Sequence, residues 1–241
     1  MYSNNQYNYQ NDHSDYNSGY LGLTWQEYLS GTFRWMTIGL AVTFVTSYLC
    51  VRVPALFRIA YSLYLPLTIA ELVLVFVLSA RVQRIQVSTA RGLFLAYSLI
   101  NGMVFSMYFL IFDVGTLITA FLAAAIFFGL SALHGAQTQD DLSGWGRYLF
   151  NGLIAMLVSS LVSMLFGFSF VNSVLYCGIG VLLFLGITAY DTQKLKDFYY
   201  YYANDEEMAE KSSIYGALSL YLDFINIFVY LVRMLSRSRR D

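Results

Sequence analysis

Seven stretches of the chain are almost unbroken runs of apolar residues, each close to the roughly 20 residues that an α-helix needs to cross hydrocarbon. They cover 33–51, 59–80, 92–112, 114–133, 148–168, 173–190 and 213–232. The runs have no period-2 alternation and predict an all-α membrane protein of seven transmembrane helices. Two flanks read differently. Residues 1–32, opening MYSNNQYNYQNDHSDYNSGY, are Asn, Tyr and Ser with few aliphatics, too little to offset ordering entropy, and predict a disordered tail. Residues 233–241 form a basic tail whose Arg233, Arg237, Arg239 and Arg240 suit anionic headgroups.

Within the sixth run the pattern continues past the point where the membrane should end. No Gly or Pro interrupts DTQKLKDFYYYY, and Asp191, Leu195, Phe198 and Tyr202 fall at i, i+4, i+7 and i+11, in line with Phe184 and Ile187. A long helix is expected, with Asp191 on its protein-facing side. In the seventh run Gly216, Ser219, Asp223, Asn226 and Tyr230 recur at spacings of 3, 4, 3 and 4, a seam of small and polar residues in a Leu, Ile and Phe helix. Such a seam cannot face lipid, so it lines an internal contact or cavity. A further acid, Glu71, lies inside the second run just after Pro66, where a kink is expected, and Arg81 and Arg84 stand at the end of that run.

Composition narrows the function classes. The chain of 241 residues is 58% hydrophobic and only 12% charged, with net charge -1, which leaves no basic surface for nucleic acid. Cys50 and Cys177 both lie in apolar runs and read as buried small hydrophobes, not a disulfide. The only histidines are His13 and His134, too few for a zinc hydrolase, and Lys194, Lys196 and Lys211 all fall between the last two runs, where a retinal protein would need one inside a helix. AYD at 189–191 imitates half of an intramembrane aspartyl protease motif, but Asp223 sits in YLDF without the glycines of the other half. The chain reads as no enzyme. Lys and Arg residues at the N-terminal side slightly outnumber those opposite, which predicts a cytoplasmic N-terminus.

Two carboxylates brought together cannot both ionise cheaply. They share a proton and titrate as one unit. Protonated, they hold two helices together; deprotonated, they repel or accept a hard cation such as calcium, so Asp191 and Asp223 are also the candidate, transient metal-binding residues.

GITAYDTQKLK followed by ALSLYLDFINIFVYLVRML resembles the carboxy-terminal signature of the transmembrane Bax inhibitor motif family, and FRWMTIGLAVTF and AELVLVFVLSARV are similar to its earlier segments. The resemblance extends from about Phe33 onwards and suits a bacterial member, in the cell membrane. It implies seven helices with the last surrounded by the other six. It also implies a proton-sensitive calcium leak, with no cofactor and with calcium as the transported ion. Carried over by motif, Asp191 and Asp223 are the pH-sensing pair, and an arginine at or near Arg81, with Arg84 next, competes for the first of them. The connection from Thr192 to Ser212 is longer than in compact bacterial members. The alternative reading is a non-conducting regulator that binds and restrains a membrane protease or a cell-death or stress protein.

Overall fold

The computed structural model describes residues 24–81, 84–168, 170–202 and 205–238. These residues are almost entirely helical: α1 (Trp25–Arg52), α2 (Pro54–Ser62), α3 (Tyr64–Arg81), α4 (Val87–Phe105), α5 (Tyr108–Ile111), α6 (Val114–Gln137), α7 (Ser143–Phe166), α8 (Val174–Tyr201) and α9 (Glu206–Ser238), with a 3-10 turn at Phe170–Asn172. Among the described residues, six helical stretches are long and apolar enough to cross a membrane. The pair α2 and α3, bent by 72°, makes a seventh if counted as one span.

The ends of the helices follow local chemistry. α1 begins inside the stretch expected to be tail, because Thr24 and Glu27 form a capping box: the Thr24 hydroxyl accepts from the Glu27 amide at 3.2 Å and the Glu27 carboxylate accepts from the Thr24 amide at 2.7 Å. The expected tail over 1–23 lies outside the described residues. α1 stops where Pro54 forces Val53 into an extended conformation, and Pro54 then opens α2. The kink expected at Pro66 falls one turn earlier in the chain. Pro66 has no amide hydrogen for the Ser62 carbonyl and its ring crowds that carbonyl, so α2 ends at Ser62 and α3 restarts at Tyr64. Asp113 caps α6 through the Thr116 amide at 2.8 Å, Ser173 caps α8 through the Tyr176 amide at 3.2 Å, and Gly167, at φ +70°, closes α7.

α8 and α9 correct the expected long connection. The only residues between them are 202–205; most of the segment from Thr192 to Ser212 is helix. At about 1.5 Å per residue the 28 residues of α8 span about 42 Å, longer than the roughly 30 Å of hydrocarbon, so the pair extends past the membrane on the side where α1 begins. α9 likewise continues through Arg233 and Arg237, residues expected to be tail, while Arg239 and Arg240 lie outside the described residues.

The extension is tied to α1 and α4. Tyr28 and Ser212 hydroxyls meet at 2.7 Å, Thr32 and Ser213 at 2.9 Å, and Trp25, Tyr28 and Tyr199 form an aromatic cluster with centroids 5.6 to 6.0 Å apart, Trp25 stacked on Tyr28 and Tyr199 set at an angle to both. Arg91 of α4 pairs with Glu210 and lies over the Trp35 ring, while Lys211 pairs with Glu207 at 2.7 Å.

Half of the membrane-crossing stretch of α9 is buried, more than in any other described span. Its main neighbours are α8, α1, α6 and α4, whereas α3 packs chiefly on α4 and α7 on α8. Among the described residues the last helix thus packs mainly on four spans. Both cysteines are free and buried.

Candidate functional site: an acid pair between the last two helices

Three contacts fix the antiparallel register of α8 against α9. Gly216 lies on the Leu195 side chain, leaving no room for a Cβ; the Thr188 hydroxyl reaches the Asp223 carboxylate; and a Cβ on Gly180 would meet the Tyr230 ring at 2.8 Å. Small residues at 216 and 180 let the helices approach closely enough for the short Thr188 side chain to meet Asp223. Asp191 stands three residues from Thr188, about 4.5 Å of helix rise, and its carboxylate interacts electrostatically with that of Asp223.

The two acids differ in their surroundings. Asp223 is 3% exposed and its Oδ2 is buried without a hydrogen-bond partner. Asp191 is half-buried, and the Lys194 ammonium acts on it from the next turn while sitting over the Tyr190 and Phe198 rings, 5.8 and 5.7 Å from their centroids. The Thr188 hydroxyl stands between the Phe184 carbonyl, 2.7 Å away, and the Asp223 carboxylate.

The stripe expected on α8 is displaced by one residue. The buried positions are Cys177, Gly180, Val181, Phe184, Thr188, Ala189, Thr192, Leu195 and Tyr199, with Phe198 and Tyr202 only half-buried, so Asp191 flanks the buried stripe instead of centring it. Thr188 and Thr192 tolerate burial because each hydroxyl bonds a carbonyl one turn back, at 2.7 and 2.8 Å. On α9 the seam divides. Gly216, Asp223 and Tyr230, seven residues apart, are buried, and the Tyr230 hydroxyl lies 3.9 Å from Met156 Sδ. Ser219 and Asn226 sit at its half-buried edge, where the Asn226 amide donates to the Leu222 carbonyl at 2.8 Å.

The remaining site residues are elsewhere. Arg81 and Arg84 are exposed, and no ion pair joins either to Asp191 in this structure. Glu71 is in a different place altogether, beside Asn101 and Tyr97 of α4 and near Tyr221 of α9. Sequence reasoning missed Asn101, Tyr221 and Thr43, a buried hydrogen-bonded group. An Asn in the middle of an apolar run was its visible signal. No group of three or more His, Cys, Asp or Glu side chains among the described residues is placed to hold a metal ion.

The family model described as "Inhibitor of apoptosis-promoting Bax1" matches residues 25–240. The chain belongs to the Bax inhibitor-1 family. The inner membrane protein YbhL of Escherichia coli K12 is 37% identical over 219 residues, 89% of this chain and 93% of YbhL. A Deinococcus radiodurans protein is 40% identical over 210 residues, covering 86% and 89% of the two chains, and a Borreliella burgdorferi protein is 34% identical over 222 residues, covering 89% and 94%. This Bax inhibitor-1 family member is therefore a multi-pass integral membrane protein, homologous to a bacterial inner membrane protein.

Proposed function

We propose that this protein is a non-enzymatic, pH-sensitive calcium leak, gated by a proton shared between Asp191 and Asp223. The observation that supports the reading most is the buried, partnerless Oδ2 of Asp223 on a helix whose neighbour brings a second carboxylate to within electrostatic reach.

With one proton between them, the acids tie α8 to α9. With none, two unit charges about 4 Å apart in a medium of effective dielectric about 20 repel by about 4 kcal/mol, enough to loosen the contact or to draw in a divalent cation. The oxygens of the pair, with the Asn226 amide on the seam, are hard ligands of the kind calcium prefers. Calcium is the cargo in this reading and no resident cofactor is required. Arg81, or Arg84 in its place, completes the switch by approaching Asp191 from the end of α3 and favouring its ionised form. The N-terminus is cytoplasmic, with the extension of α8 and α9 on that face.

Calcium flux into liposomes that contain this protein alone tests the reading. The parent is expected to vary with pH, Asp191→Asn and Asp223→Asn each to lose that dependence, and the double variant to add little, because residues that act as a unit are non-additive. Neutralising the correct arginine shifts the midpoint. Single variants that retain the parent profile overturn the shared proton, and a parent without flux at any pH points instead to a regulator that restrains a membrane protease or another membrane protein.

A further inference from the structure

Glu71 belongs to a second polar assembly that the acid pair does not use. Tyr221 stands two residues before Asp223 and so points to nearly the opposite side of α9, towards α1 and α4. Its hydroxyl lies 2.7 Å from the Thr43 hydroxyl on α1 and 3.0 Å from Asn101 Oδ1 on α4. The Thr43 hydroxyl is 3.0 Å from both the Gly39 and the Ser98 carbonyls. The Asn101 side chain in turn reaches the Glu71 carboxylate on α3, whose Oε1 is buried with no hydrogen-bond partner. Phe94 and Tyr97 hold the Tyr221 ring edge to face, with centroids 5.9 and 5.6 Å away, and Tyr221 is fully buried. The chain of contacts therefore runs from α3 through α4 and α9 to α1, and its phenol has no room to swing aside.

Counting hydrogens gives this chain two directions. Tyr221 and Thr43 each carry one hydroxyl hydrogen, and Asn101 presents an accepting end and a donating end. An ionised Glu71 only accepts. Asn101 then turns its amide nitrogen to Glu71, its Oδ1 accepts from Tyr221, and the Tyr221 oxygen accepts from Thr43. A protonated Glu71 donates. The amide turns over, accepts from Glu71 and donates to Tyr221, which gives its own hydrogen to Thr43, and Thr43 donates to the Gly39 or Ser98 carbonyl. Apart from the exchange of Oδ1 and Nδ2 as the Asn101 amide turns over, the heavy atoms keep their places while every donor between Glu71 and α1 reverses.

We infer that Glu71 is a second proton-accepting site, and that Asn101 is the positioning residue that passes its state to Tyr221 on the last helix as a reversal of hydrogen-bond direction. The other groups facing this assembly are Tyr97 on α4, Tyr64 on α3, Tyr108 on α5 and Arg233 on α9, whose guanidinium approaches Tyr108; Arg58 on α2 is exposed. None of them lies between Glu71 and Tyr221 along the hydrogen bonds. The site is distinct from the acid pair and holds whether or not the protein conducts calcium.

Infrared difference spectroscopy of the purified protein across about pH 4 to 10 tests it, because the carboxylic acid C=O stretch and the phenol C–O stretch are read separately. The parent should show a carboxyl signal that Glu71→Gln removes and a phenol signal, removed by Tyr221→Phe, that titrates with it. Asn101→Leu should keep the carboxyl signal and lose the phenol change. Glu71→Gln and Tyr221→Phe are near-isosteric, so the central comparison survives even if Asn101→Leu misfolds. A Tyr221 signal that persists in Glu71→Gln overturns the inference, as does its persistence in a folded Asn101→Leu. The absence of any Glu71-dependent carboxyl signal, or a carboxyl titration without a phenol change in the parent, overturns it equally.

Discussion

Gly135→Ala probes how tightly the acid pair is held. Gly135 of α6 sits directly on the backbone of α8 at Ala189, two residues before Asp191. A Cβ there would run into the Ala189 carbonyl oxygen and stand 2.8 Å from both its carbonyl carbon and its Cα. Ordinary carbon contacts lie at about 3.5 to 4.0 Å, and backbone atoms cannot rotate away, so α6 and α8 must part by about 1 Å. Overpacking of this kind costs about 1 to 3 kcal/mol, more than the 0.8 to 1.0 kcal/mol or so that alanine gains over glycine in a helix. The separation also strains the bond from the Ser131 hydroxyl to the Leu185 carbonyl in the same interface. Gly129→Ala is the control, since nothing lies within 4 Å of its new methyl group on the same helix. In detergent, thermal unfolding of Gly135→Ala should fall by roughly 2 to 4 °C for each kcal/mol lost, while Gly129→Ala holds or rises. A Gly135→Ala protein as stable as the Gly129→Ala protein would refute the claim that backbone contact fixes α8 here.

Two smaller effects follow from the N-terminal-side surface. Ser212 gives its hydroxyl hydrogen to the Ala209 carbonyl at 2.8 Å, so Tyr28 is the donor in their 2.7 Å bond, and Tyr28→Phe should cost about 0.5 to 1 kcal/mol in thermal unfolding, with no loss refuting the assignment. Asp141, exposed between α6 and α7, accepts from the Ser143 amide and hydroxyl at 2.8 and 2.9 Å, with the amide the larger cause of a carboxyl held below its ordinary value. A depressed carboxyl stabilises the fold above its unfolded value near 3.9 and loses that contribution as pH falls through the folded one, so an NMR titration should place its midpoint below about 3.9.

Six of the seven expected spans were legible as unbroken helices because hydrocarbon demands long apolar runs, the second being a bent pair, and the long eighth helix was legible because nothing in DTQKLKDFYYYY breaks one. The start of α1 was legible too, in Thr24 and Glu27, but the polar composition around them concealed a capping box. Neighbouring helices were much less legible. Hydrophobicity alone does not mark the buried face of a membrane helix, since lipid and protein interior are both apolar, so Thr188 and Thr192 mark it on α8 better than Phe198 does. Glu71 and Asp223 looked alike in sequence, as acids with apolar flanks. The structure separates them because Asn101 claims one and α8 the other.

The placement of Tyr221 and Asp223 constrains how α9 can respond to any change at either site. The two side chains hold partners on opposite sides of the helix, Thr43 and Asn101 for the phenol and Thr188 for the carboxyl. Rotating α9 by one residue, about 100°, takes both groups off their partners at once. Each buried polar group left unsatisfied costs about 1 to 3 kcal/mol, and more if it is charged. A spin of the helix therefore carries a double cost, while a movement of α8 away from α9 breaks only the Asp223 side and leaves the Tyr221 side intact. Under the proposed gating, loss of the proton at the acid pair would act on the contact between α8 and α9, with α1 and α4 keeping α9 in place.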